Sequence, residues 1–98
     1  MAKYLILWES VPGYIPADPA QRGMLLGKMM EMTKKALDDG DITDWGLFSD
    51  GSAGYAMSEG TGANNLKGAM NFMPYYKFSV REVLSLAEVA QVMQSMQP

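Results

Sequence analysis

Seven residues supply side chains suited to small-molecule chemistry: Trp8, Glu9, Trp45, Tyr55, Glu59, Lys77 and Arg81. Large aromatic rings with a few charged groups are what a small-molecule pocket needs. A carboxylate sunk beside a tryptophan has its pKa raised and can act as a general base. In a catalytic arrangement Glu59 or Glu9 is that base, and Arg81 or Lys77 holds a developing oxyanion. Trp8, Trp45 and Tyr55 then stack on the substrate, with Lys77 beside them as a ligand-binding cation. In a structural arrangement the aromatics are core and interface, and Glu9 or Glu59 pairs with Arg81 or Lys77. Each of the seven is expected on a strand or at its end. Whether they share a face is left open by the strand assignments.

The composition restricts the chemistry further. The chain has no Cys and no His, which removes thiol nucleophiles, disulfides, Cys/His zinc sites, imidazole acid–base catalysis and Ser-His-Asp triads together. Proton transfer falls to Asp, Glu, Lys or Tyr, and a metal would need oxygen ligands. The expectation is no metal and no cofactor. The net charge of −3 argues against a nucleic-acid binder, which needs a basic face. Hydrophobic residues make up 48% of the chain, which argues against disorder. The 98 residues fit one domain, 1–98, with one modest core. The apolar run Tyr4–Trp8 is far shorter than the roughly 20 residues a membrane span requires. It is also too short for a signal-peptide core, so the expected compartment is the cytoplasm and no membrane partner is expected.

The elements that must position these residues centre on Gly46–Glu59, two strands joined by the Asp50-Gly51 turn. Before it, Lys3–Glu9 reads as a strand with large apolar residues on both faces. Asp18-Pro19 starts a helix that runs to about Asp39 and stops at Gly40. Its apolar line is Leu25, Met29, Met32 and Ala36, with Leu26, Met30, Thr33 and Leu37 beside it. Glu31 and Lys35 form an i,i+4 pair. Ile42–Ser49 is the second strand and Gly54–Glu59 the third. Thr61 or Asn64 caps a second helix ending near Phe72. That helix is weak by propensity and relies on packing of Leu66, Ala69, Met70 and Met73. Tyr75–Leu84 is the fourth strand, and the capping box Ser85-Leu86-Ala87-Glu88 opens a last helix to about Met96.

The order β-α-β-β-α-β-α predicts an α+β fold: a ferredoxin-like antiparallel sheet, βαββαβ, with an extra C-terminal helix. Helices on one side leave the other side of the sheet uncovered. Strands one and two put large apolar residues on both faces, more than a soluble monomer usually exposes. The simplest cover is a second copy, giving a two-fold homodimer sheet to sheet. The third helix, folded back over the sheet, is the rival cover.

Tyr4–Glu9, Pro16-Ala17-Asp18-Pro19, Asp44-Trp45-Gly46, Gly54-Tyr55-Ala56, Glu59-Gly60 and the Lys77-Phe78 strand ending in Val83-Leu84-Ser85 carry a family likeness. On these residues the chain resembles small, largely uncharacterised domains of the dimeric α+β barrel superfamily. The resemblance implies two ferredoxin-like protomers packed sheet to sheet. It also implies a cavity between the sheet and its own helices or its partner. Superfamily members include cofactor-independent monooxygenases, muconolactone-isomerase-like enzymes and chlorite-dismutase-like haem proteins. Several of those enzymes depend on a His, which this chain lacks.

Three local motifs have functional readings beside plain ones. Glu59-Gly60-Thr61-Gly62-Ala63-Asn64-Asn65 has the context of an anion-binding helix start, but neither phosphate-loop pattern is satisfied, and a βα turn is the plain reading. Asp38-Asp39-Gly40-Asp41 with Asp44 resembles part of a calcium loop without its spacing or final Glu, and reads plainly as a solvated turn. Gly54-Tyr55-Ala56-Met57 faintly resembles an RNA-recognition strand without its flanking base or second aromatic. Among ten Met residues, Met24, Met29, Met30 and Met32 either line an adaptable cavity or pack the core. The sequence thus points to a homodimeric binding or regulatory module for a small apolar or aromatic molecule. The alternative is a cofactor-independent, monooxygenase- or isomerase-like enzyme on such a molecule. A third reading is a domain that only dimerises.

Overall fold

The computed structural model describes residues 2–97. Seven elements follow one another: β1 (Ala2–Ser10), α1 (Pro19–Asp39), β2 (Asp44–Leu47), β3 (Ala53–Gly60), α2 (Gly62–Met70), β4 (Tyr76–Val83) and α3 (Leu86–Ser95). The strands form one sheet in the order β2-β3-β1-β4, with every neighbouring pair antiparallel. This α+β arrangement is compatible with a ferredoxin-like fold.

Local chemistry sets most of the boundaries. The Asp18 carboxylate accepts from the Gln21 N–H at 3.0 Å, and Pro19 occupies the first turn of α1. Gly40, at φ 79°, closes α1 in the left-handed region. The second strand is shorter than the expected Ile42–Ser49. At its start the Ile42 N–H is drawn to the Ala36 carbonyl at the end of α1 (3.3 Å). At its end the Phe48 carbonyl accepts from Gly51 at 2.8 Å, so the turn begins there. Gly51 takes φ 77°, as the Asp50-Gly51 signal predicts. Of the two possible caps for α2, Thr61 is used: its hydroxyl accepts from the Asn64 N–H at 3.2 Å. The Ser85–Glu88 capping box is formed in both directions, at 3.0 and 3.1 Å.

Cross-strand register decides which residues share a face. Tyr4, Ile6 and Trp8 stand opposite Ser58, Ala56 and Gly54 on one side and Glu82, Val80 and Phe78 on the other. Gly54, Ala56 and Ser58 alternate as buried residues along β3. α2 lies on this face, because the Ser58 hydroxyl donates to Asn65 Oδ1 at 2.6 Å. α1 and α2 each join two parallel strands across the strand between them, and the right-handed connection usual for such units puts both helices on one side. α1 buries Met29 and Thr33, and the Thr33 hydroxyl is satisfied by the Met29 carbonyl at 2.9 Å. Met32 is half-buried, whereas Met24 and Met30 are exposed, so the methionines of α1 do not form a cavity lining together. Lys35, expected to pair with Glu31, instead holds Asp39, the other carboxylate four residues away. That places a cation among the acidic residues at the helix C-terminus, where the dipole favours it.

The opposite face carries Lys3, Leu5, Leu7 and Glu9 of β1, Tyr55, Met57 and Glu59 of β3, and Lys77, Ser79, Arg81 and Val83 of β4. Among the described residues, no helix side chain makes a hydrogen bond or ion pair to these residues. The third helix is not the cover: every residue of α3 is exposed. Among the described residues, no helix is long and apolar enough to cross a membrane.

Candidate functional site

The register divides the predicted constellation in two. Trp8 and Trp45 lie on the helix-covered face. Their rings stack at a centroid distance of 5.7 Å with 13° between planes. Trp8 also meets the edge of Tyr76 at 5.6 Å. It reaches across the sheet because position 54 is glycine; a Cβ there would collide with the indole and with the Gly46 carbonyl. The Trp8 indole N–H is buried without a hydrogen-bond partner among the described residues.

Glu9, Tyr55, Glu59, Lys77 and Arg81 lie on the open face. Glu9 and Lys77 stand opposite each other on β1 and β4, and their side chains pair at 3.0 Å. With 54% and 65% of these side chains exposed, water screens the pair and its contribution to stability is at most about 1 kcal/mol. Tyr55 lies across Gly46 and donates its hydroxyl to Asp44 at 2.8 Å. The Asp44 carboxylate, by accepting that bond, raises the Tyr55 pKa above the ordinary phenol value. Glu59 stands opposite Lys3, and Arg81 opposite Leu5. Neither makes an ion pair among the described residues. The carboxylate-beside-tryptophan arrangement is therefore not assembled: both glutamates are exposed, on the side of the sheet away from the rings. Alternation along β1 makes this unavoidable for Trp8 and Glu9, which are consecutive.

Two concavities flank these residues. The smaller, about 400 Å³, runs past the end of the open face and is lined by Leu7, Glu9, Phe48, Ala53, Lys77 and Ser79 among others. The larger, about 580 Å³, lies between α2 and β4. Leu66, Ala69 and Met73 form one wall, and Tyr76, Phe78 and Val80 the other. Phe72 meets Tyr76 and Phe78 edge-on at 6.5 and 6.2 Å, so an aromatic group backs the strand wall. Burial pushes the Tyr76 phenol pKa upward. Asn65 also lines it; its oxygen is engaged by Ser58, and its Nδ2 is buried without a partner among the described residues.

On sequence grounds Leu66, Ala69 and Met73 serve the packing of the second helix. The signal was present in the spacing of Leu66, Ala69 and Met73 on a glycine-weakened helix, facing alternate aromatics on β4. What it lacked was any sign that the helix stands off the sheet. At Glu59–Asn65, Gly60 has φ 137° and Thr61 caps α2, the geometry of a βα turn. No family model matches the chain, and none of the curated proteins matches it.

Proposed function

We propose that this protein is a homodimeric binding module for a small apolar or aromatic molecule. Its ferredoxin-like protomers join through their open sheet faces, in the manner of dimeric α+β barrels. The observation that carries the ligand reading is the cavity between α2 and β4. Its volume of about 580 Å³ falls within the roughly 300–1,000 Å³ of small-molecule sites, and its walls are mostly aliphatic and aromatic.

Self-association is supported by the open face. Leu5, Leu7, Met57 and Val83 lie together there, flanked by Lys3, Glu9, Glu59, Lys77 and Arg81. An apolar centre with charges of both signs around it suits a two-fold contact, because each cation can meet an anion of the other copy. Cofactor-independent catalysis by Glu59 or Glu9 requires a desolvated carboxylate near the aromatic groups. The exposure of both glutamates weighs toward binding without turnover.

Native mass spectrometry of gently purified protein tests both parts. The expected result is a dimer with a reproducible extra mass that an Ala69→Phe variant loses while remaining dimeric. Retention of that mass by the variant sinks the assignment to this cavity. A monomer at micromolar concentration sinks the dimer.

A further inference from the structure

We infer that α3 is an exchanged arm: in the dimer, the α3 of one copy closes the open mouth of the other copy's α2–β4 cavity. The inference rests on the homodimer reading above and adds the partner's contribution to the site.

The arm is built to be covered. At about 100° per residue, Leu86, Val89, Ala90, Val92, Met93 and Met96 fall within one arc of about 160°. Glu88, Gln91, Gln94 and Ser95 occupy the opposite arc. Such a stripe is the core-facing side of a helix, yet here it faces water: Leu86 is 86% exposed and Met96 78%. The helix contains no Lys or Arg, the residues that hold an amphipathic helix on an anionic membrane surface. A protein surface suits it better.

The arm also follows directly on the edge strand β4. Only Leu84 and Ser85 separate it from β4. Ser85 is extended, at φ −73° and ψ 165°, and the capping box holds it so from both sides.

Area and shape indicate a second copy as the occupant. The chain exposes 7222 Å², whereas a compact monomer of 10.8 kDa exposes about 5,500 Å². Its radius of gyration is 16.5 Å, against about 13 Å for a compact domain of this length. The surplus, roughly 1,700 Å² per chain and so about 3,400 Å² for two copies, falls within the roughly 2,000–5,000 Å² that obligate homodimers bury in total. The cavity supplies the matching receptor. It is an apolar groove bordered by exposed Leu66, Met73 and Val80, and an apolar helix face laid in such a groove is a recurrent mode of recognition.

The absence of Cys allows a direct test. Leu66→Cys is combined with Val89→Cys or with Met93→Cys, and each double variant is oxidised in dilute solution. Non-reducing electrophoresis then reads where the arm lies. A disulfide-linked dimer, from either pair, is the expected result. A monomer closed by an internal disulfide places the arm on its own groove and overturns the inference. In parallel, Val89→Glu/Met93→Glu is examined by sedimentation, with circular dichroism as the check on folding. At least a tenfold rise in the dimer dissociation constant is expected. An unchanged constant, with the wild type dimeric, overturns the arm and leaves the open-face dimer standing. A monomeric wild type overturns both.

Discussion

Trp8 lies over Gly54, filling the space where a side chain at position 54 would stand, and from there stacks on Trp45. On the other face Tyr55 lies over Gly46 in the same way and reaches Asp44. Each ring covers a glycine on the neighbouring strand, so the Gly46-to-Gly54 hairpin is clamped by an aromatic on both sides.

This arrangement predicts that Gly54→Ala destabilises the domain by about 1–3 kcal/mol, the usual cost of forced overpacking. The backbone at 54 needs no positive φ; the cost is the collision with Trp8. Urea unfolding should show a lower midpoint, and tryptophan fluorescence of the folded variant should change as the Trp8–Trp45 stack opens. An unchanged midpoint contradicts the overlay.

Gly23 and Gly27 behave in the opposite sense. Both lie on the wet side of α1, and a Cβ at either meets nothing within 4 Å. Gly27→Ala should raise stability by about 0.5–1 kcal/mol by removing backbone entropy from the unfolded helix. The same denaturation experiment reads the gain.

The junction before α3 should be pH-sensitive. The Glu88 carboxyl is held below its ordinary pKa because it accepts from Ser85, first from the backbone N–H. Its stabilisation is therefore present above the ordinary carboxylate pKa and is lost as pH falls through the depressed value. Asp50, depressed by its bonds from Ser52, adds a contribution of the same sign at the hairpin turn. Helical circular dichroism should fall on acidification, and Glu88→Gln should flatten that response. Ser85→Ala removes the cap itself, at a cost of about 0.5–2 kcal/mol.

Tyr55 should titrate late. Its bond to Asp44 raises the phenol pKa, so that contribution is complete below the ordinary value, about 10, and is lost as pH rises through the raised one. Phenolate absorbance followed against pH should show two late tyrosines, Tyr55 and Tyr76, and Asp44→Asn should move one of them back. A titration identical in the two proteins contradicts the pairing.

The open face should respond differently to charge and to apolar changes. Leu7, 39% exposed at its centre, becomes buried in the proposed dimer. Leu7→Glu should weaken self-association at least tenfold by sedimentation while leaving the fold intact. Glu9→Gln should change monomer stability by no more than about 1 kcal/mol, because its pair with Lys77 is solvated. A Leu7→Glu protein that dimerises normally rules out this face.

The sequence by itself determined what is written in short-range chemistry. Asp18-Pro19 and Gly40 bound α1, Asp50-Gly51 makes the turn, and Ser85 with Glu88 caps α3, because each of these signals acts within a few residues of itself. Alternation also set Trp8 and Glu9 on opposite faces before any strand was paired. Only the tertiary structure decided which parities meet across strands. Trp8 joins Trp45 while Glu9 joins Lys77, since register depends on pairings more than forty residues apart in the chain. The cavity between α2 and β4 was equally out of reach. A line of Leu66, Ala69 and Met73 looks the same whether it touches a sheet or stands away from it. That separation is set by how the whole helix docks, which no local pattern records.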